Sequence, residues 1–237
     1  MLQSEPIRRR RLYEDIVVRL ETAIVQGQVA PGDQLPSERE LMETYGVGRT
    51  SVREALFALQ RMGLVSISSG ERTRVTQPTP EALVNDLSGA ARHLLAKPGG
   101  VKHFQQARLF FEVSLARHAA EHATPEDVAE LAVALEANRQ AIGQSEVFER
   151  TDVAFHYVIA RISRNPIFTA LHAAIAEWLM EQRTTSILAA GADRAAYRAH
   201  AKIHAAILRR EPDAAAAAMR SHLEQVNRYY WAVKGSE

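Results

Sequence analysis

Two stretches decide the fold: Leu35-Pro36-Ser37-Glu38-Arg39-Glu40-Leu41 and Val47-Gly48-Arg49-Thr50-Ser51-Val52-Arg53-Glu54-Ala55-Leu56. In the first, Ser37 and Glu40 stand at the spacing of a capping box, in which the serine oxygen takes the N3 amide and the glutamate reaches back to the serine amide. A short helix is therefore expected from Ser37 to about Tyr45. Gly46 fits a helix C-terminus, where left-handed backbone costs a glycine least, and Gly46-Val47-Gly48 makes a tight turn. The second stretch opens another helix, expected over 50–62, with Val52, Leu56 and Leu59 facing inward.

Upstream, Leu12, Ile16, Leu20 and Ile24 recur every fourth residue, as on one face of an amphipathic helix, and Gly27 and Pro31-Gly32 end it. Downstream, Gly63 closes the third helix. Leu64 to Ser68 then alternates like a strand, Ser69-Gly70 turns, and Arg72 to Val75 returns. Helix, helix, turn, helix, hairpin is the order of a winged helix-turn-helix. Such a module reads DNA with the N-terminal residues of its third helix, which enter the major groove. Arg49, Thr50, Ser51 and Arg53 stand there; Arg39 lies on the preceding helix, and Ser69, Gly70, Arg72 and Arg74 on the wing. Arg8 to Arg11 adds non-specific phosphate attraction. Isolated arginines on helices are also common as solvated surface, so the DNA reading rests on the whole arrangement.

The remaining sequence bounds the rest. The chain has 237 residues, 46% apolar and 24% charged, an ordinary globular composition. With no cysteine it can form neither a disulfide nor a thiolate metal site. The net charge of +1 announces no polyanion partner, so the case for DNA depends on where the arginines sit. No apolar run approaches a membrane span, and no apolar segment follows the N-terminal arginines as in a signal peptide. A cytoplasmic protein without a membrane partner is expected. Gln77-Pro78-Thr79-Pro80 reads as a linker and hinge, because its prolines disfavour helix on both sides. The expected division is a DNA-binding domain over 1–76, a linker over 77–80 and an all-helical domain over 81–237. The last is alanine-rich, with about six or seven helices opened by Thr124-Pro125, Asn165-Pro166 and Pro212 and broken at Gly99-Gly100 and Gly191.

In the helical part, Asp152 and His156 share a helix face one turn apart. The last two helices, joined near Arg210 to Pro212, are expected to run antiparallel and could bring His200 and His222 to that pair. One carboxylate and three imidazoles suit a first-row divalent metal such as zinc, with open positions for a ligand carboxylate. The competing reading is a set of ordinary hydrogen-bonded histidines. Arg108 is either a bidentate holder of an acidic effector or an i,i+4 partner of Glu112.

The two opening stretches, ungapped over about 12–76, resemble the signature of the GntR family of transcription regulators. The resemblance implies DNA contacts by Arg39, Arg49, Thr50, Ser51 and Arg53, a wing tip at Gly70, and core positions at Leu35, Leu41, Val47, Val52 and Leu56. Arg108 to Glu112, Asp152 with Phe155-His156, Asn165-Pro166, His200 with Ile203 and Ser221-His222-Leu223 are similar to the FCD effector domain of the FadR subfamily. In that domain one Asp and three His often bind metal, and by position these are Asp152, His156, His200 and His222, with His204 competing for the third imidazole. Zinc is the first choice, nickel or another first-row metal the alternative. Gly70 to Val75, Leu87-Ser88-Gly89, Pro98-Gly99-Gly100 and Ala119 to Thr124 are similar to sialic-acid-responsive repressors of the family. These similarities together imply a mainly helical repressor rather than an enzyme. It would act as a homodimer on a double-stranded DNA operator and be controlled by a small sugar acid, N-acetylneuraminate first and a hexuronate second. A metal-dependent hydrolase and a merely dimerising scaffold are the rival readings.

Overall fold

The computed structural model describes residues 11–235. Arg8, Arg9 and Arg10 of the basic run lie outside the described residues. The chain divides into two compact units between Leu83 and Val84.

The first unit holds α1 (Leu12–Val25), α2 (Glu38–Tyr45), α3 (Arg49–Arg61) and the strands β1 (Val65–Ser66) and β2 (Arg74–Val75). The capping box forms as its residues dictate: Ser37 Oγ accepts from Glu40 N at 3.3 Å, and Glu40 Oε2 accepts from Ser37 N at 2.7 Å. Gly46 ends α2 at φ 61°, ψ 38°, a left-handed position. The core gathers Ile16 and Leu20 of α1, Leu41 of α2, Val52, Leu56 and Leu59 of α3, and Leu35, Val65 and Val75. Val47 is only half-buried against it, and Leu12, at the start of α1, is exposed. The wing pairs antiparallel, Val65 with Val75 and Ser66 with Arg74. Only two residues of each arm pair, so the loop between them is longer than a two-residue turn. The segment before α2 adds a third arm. Gln34 bridges Arg74, and Leu35 N donates to Thr73 O at 2.8 Å. Pro31 and Gly32 end α1's connection but leave the next residues free for this pairing.

A helix, α4 (Pro80–Asn85), crosses the boundary, so the expected linker becomes helical at its last residue. Proline at the first position of a helix loses no hydrogen bond, and Thr79 Oγ1 accepts from Ala82 N at 3.1 Å. Then follow α5 (Ser88–Leu95), α6 (Gly100–His122), α7 (Pro125–Gln140), α8 (Ser145–Arg161), α9 (Pro166–Trp178), α10 (Met180–Ile187), α11 (Ala192–Leu208) and α12 (Pro212–Lys234). These exceed the six or seven expected because α4, α5 and α10 are too short to show a helical period. The turn into α6 demands glycine. A Cβ on Gly100 would stand 2.2 Å from the Leu94 carbonyl oxygen.

The bundle core is built by Leu115 and Ala119 of α6, Leu131 of α7, Phe155 and Ile159 of α8, Ile203 and Ile207 of α11, and Met219 and Leu223 of α12. Fully buried alanines, Ala116, Ala119 and Ala120 on α6 and Ala215 on α12, let helix backbones approach closely. Among the described residues no helix is long and apolar enough to cross a membrane.

Candidate nucleic-acid interface and metal centre

Helix α3 begins at Arg49, and its N-cap is Gly48, which offers no side-chain acceptor. The first amides of the helix therefore keep free donors at its positive end, a place for phosphate. Arg49 and Arg53, one turn apart, both approach Glu38 at 3.6 Å, and Arg39 approaches Glu43 at 3.8 Å. These pairs are too long for hydrogen bonds and well exposed, so they hold the guanidiniums only weakly and leave them free to exchange for other acceptors. Thr50 is exposed beside them and Ser51 half-buried. At the wing, Gly70 lies in the turn closed by Glu71 N and Ser68 O, with φ 79°. Arg72 faces Glu40 at 4.0 Å, whereas Arg74 is committed to the Gly32 carbonyl at 3.2 Å. A cleft of about 450 Å³ separates α3 from the wing, with Arg53, Phe57, Gly70 and Arg72 on its walls. The structure thus places Arg39, Arg49, Thr50, Arg53 and Gly70 on the open surface of one small unit.

In the second unit, α8 supplies Asp152 and His156, α11 supplies His200 and α12 supplies His222. All four are buried, and their ligand atoms lie within 4.8 Å of one another. His222 Nε2 is 3.2 Å from both His156 Nε2 and His200 Nε2, and Asp152 Oδ1 is 3.4 Å from His200 Nε2. The outer partners fix the rings. His200 Nδ1 meets Asn138 Oδ1 at 3.0 Å, and His156 Nδ1 meets the Glu112 carboxylate. With the Nδ1 protons directed outward, His156 and His200 turn bare Nε2 lone pairs inward. One proton on His222 Nε2 could serve the two contacts only as a weak, shared donor, so lone pairs crowd the centre. A cation relieves that repulsion, and outward Nδ1–H bonds are the usual support of metal-bound histidine. The donor set therefore fits a divalent metal that takes nitrogen and oxygen. His204, one turn beyond His200, is directed to the backbone of Val128 on α7 instead.

Burial by itself pushes the Asp152 carboxyl up, but the imidazoles and Arg183 outweigh it and hold it far below the usual carboxylate range. Burial pushes His200 down to about 3. It likewise pushes His222 well below its ordinary value, helped by the neighbouring His200 and His156. These two rings stay neutral near pH 7 and keep lone pairs to donate.

A cavity of about 470 Å³ opens beside the cluster, and Asp152 and His222 face both. Its walls include Arg108 and Arg183, with Ser186, Gln225 and Tyr229 among the polar groups. Arg108 Nε donates to Glu112 Oε1 at 2.6 Å, and Arg183 Nε donates to Asp152 Oδ2 at 3.2 Å. Arg108 thus pairs with Glu112, as one of its two readings expects, and also lines the cavity.

Residues 12–75 match the family of bacterial regulatory proteins called the gntR family, and residues 104–225 match the FCD domain. Over 228 residues, 95% of this chain and 87% of the relative, it is 48% identical to the HTH-type transcriptional repressor NanR of Escherichia coli strain K12. It is 47% identical to the NanR of Enterobacter sp. strain 638, over 95% of this chain and 88% of that protein. The chain belongs to the GntR family. Among solved structures, Streptococcus agalactiae GntR aligns with TM-score 0.63 and 24% identity, over 91% of this chain and 99% of that one. Escherichia coli McbR/YncC aligns with TM-score 0.52 and 18% identity, over 94% and 99%. These two share the fold.

This GntR-family regulator is a DNA-binding transcription factor with an effector-binding FCD domain, and its family and relatives are regulators, not enzymes. Its outer partners Glu112, Asn138 and Arg183 were not among the residues the sequence singled out for the metal site. Glu112 is visible in the sequence as the i+4 neighbour of Arg108 and the end of an FCD-like stretch, not as a partner of the histidines. Asn138 and Arg183 sit on α7 and α10, with no local pattern to mark them.

Proposed function

We propose that the protein is an operator-binding repressor, working as a homodimer, that N-acetylneuraminate releases from DNA when bound together with a divalent metal. Arg39, Arg49, Thr50, Ser51 and Arg53 would meet the major groove and its phosphates, with the Gly70 wing tip alongside. Asp152, His156, His200 and His222 would hold the metal, zinc before nickel. The metal would supply positive charge and open positions for a carboxylate. One observation carries the sensor reading. The buried ions Arg108, Arg183, Glu112 and Asp152 sum to zero charge beside a polar cavity. A divalent cation added to that set leaves two positive charges in a low-dielectric site, which favours an anionic ligand. Arg108 and Arg183 would orient its carboxylate, and Ser186, Gln225 and Tyr229 offer hydrogen bonds to hydroxyl and amide groups. The similarity to sialic-acid-responsive repressors favours N-acetylneuraminate over a hexuronate.

Release works by linkage. The effector shifts DNA affinity only by its preference for the arrangement that does not bind DNA. The test is fluorescence anisotropy on a duplex selected from a random-sequence pool. Arg49→Ala and Arg53→Ala should each weaken that binding by about 1–3 kcal/mol. N-acetylneuraminate with zinc should weaken it by roughly 5–150-fold, and chelation should remove the response. A response to glucuronate in its place selects the hexuronate reading. Indifference to every acid refutes the sensor, and full binding by both arginine variants refutes the recognition helix.

A further inference from the structure

Among the described residues, the interior cluster is one of two groups of side chains that could hold a metal ion. At the C-terminal end of α6, His118, Glu121 and His122 bring ligand atoms within 4.8 Å of one another. We propose that His118, Glu121 and His122 form a second, surface site for a first-row divalent cation that prefers imidazole, copper, nickel or zinc. The site does not depend on the function proposed above.

The two histidines stand four apart, so their side chains share one face of the helix. Their rings stack with centroids 4.1 Å apart and planes 20° from parallel, so one ring must turn about its side-chain bonds for both in-plane lone pairs to meet one ion. The His122 Nδ1–H donates to the His118 carbonyl at 3.0 Å, so the Nε2 lone pair of that ring is the one left for a cation. Glu121 offers a carboxylate beside the ring, its Oε2 3.8 Å from His122 Nδ1, the nitrogen committed to the His118 carbonyl, so it reaches an ion at Nε2 by turning its own side chain. The group sits on the last turn of α6, where the helix dipole favours a positive charge. The nearby cations are already engaged: Arg117 pairs with Asp213, and Arg210 donates to the Glu121 carbonyl at 3.3 Å. The His122 side chain is 57% exposed, so a hydrated ion can enter and keep water in its remaining positions.

Copper is the sharpest probe, because it binds such sites most tightly among these metals. The full chain is first loaded with zinc and then titrated with Cu2+, and elemental analysis of the copper-treated protein checks that the zinc is retained. Electron paramagnetic resonance counts the coordinated imidazole nitrogens, and calorimetry gives the affinity. The wild type should show one copper with two imidazole ligands. His118→Ala and His122→Ala should each lose one of them and bind about tenfold or more weakly, at least the loss seen on removing an outer-shell partner. Both positions lie at least partly open to solvent, so thermal unfolding of the apo variants should stay unchanged. His93→Ala, at another exposed histidine, should leave the copper signal intact. A two-imidazole signal that survives His122→Ala, or one lost equally in His93→Ala, overturns the site.

Discussion

Asn138 is fully buried, and both ends of its amide are used. Its Nδ2 donates to Thr151 Oγ1 at 3.1 Å, and Thr151 Oγ1 in turn donates to the Phe148 carbonyl. That chain leaves Oδ1 as the acceptor for the His200 Nδ1 proton, which fixes the tautomer with Nε2 bare. Asn138→Ala should therefore lower metal affinity by about 10–100-fold, the range for loss of an outer-shell partner. Competition against a chromophoric chelator measures this, and an unchanged affinity would detach Asn138 from the site. At this scale the sequence shows only half of the chemistry. Asp152 and His156 are readable as one helix face, because their geometry is local. His200 and His222 enter through the expected antiparallel pairing of the last two helices, with family resemblance choosing His200 over His204, and Asn138 meets His200 only because α7 packs on α11. No periodicity within one helix encodes that approach.

Helix α7 shows what a single element contributes. Thr124 caps it, Pro125 takes the first helical position, and Asp127 reaches back to Thr124 N at 2.8 Å. The same carboxylate accepts from Arg164 Nη2 at 2.7 Å, so the start of α7 is tied to the turn between α8 and α9. Burial raises the Asp127 carboxyl, but Arg164 and the Thr124 hydrogen bonds outweigh it and set the folded value below the ordinary one. The unfolded carboxyl titrates near 3.9. Its stabilisation is thus fully present above that value and lost as the pH falls through it toward the folded value. Asp127→Asn should cost about 1 kcal/mol at pH 7, the usual worth of a cap, and progressively less in acid. Urea unfolding at pH 7 and pH 3 measures it, and an equal cost at both would mean the charge is irrelevant. Elements with such punctuation, α2, α7 and α9, are readable in the sequence. The third arm of the wing and the short helices α4, α5 and α10 are not. They are set by pairing with distant segments and by packing such as Trp178 Nε1 on Ser88 Oγ at 3.1 Å.

Among the described residues each unit has its own apolar core, and the bundle adds a small cluster of Val84, Ala170 and Ala174 under Trp178. Each can unfold on its own terms, and a ligand of one stabilises that one. The chain's two tryptophans, Trp178 and Trp231, both belong to the bundle. Trp178 packs edge-on to Phe104, and Trp231 Nε1 donates to Gln105 Oε1 at 3.1 Å, so their fluorescence reports loss of bundle packing. Zinc at a free concentration of 100 times its dissociation constant should add about 2.7 kcal/mol to whichever unit holds it. For a bundle of this size that is roughly 5–10 °C in Tm. The tryptophan-detected transition should therefore rise with zinc and fall on chelation in the wild type. In His200→Ala it should respond much less, since that variant removes an interior ligand but leaves the α6 surface site untouched. The circular-dichroism signal, which sees both units, should keep a component from the DNA-binding unit that zinc does not move. If that component shifts as far as the fluorescence does, the units unfold as one. If neither shifts, the four buried side chains hold no metal.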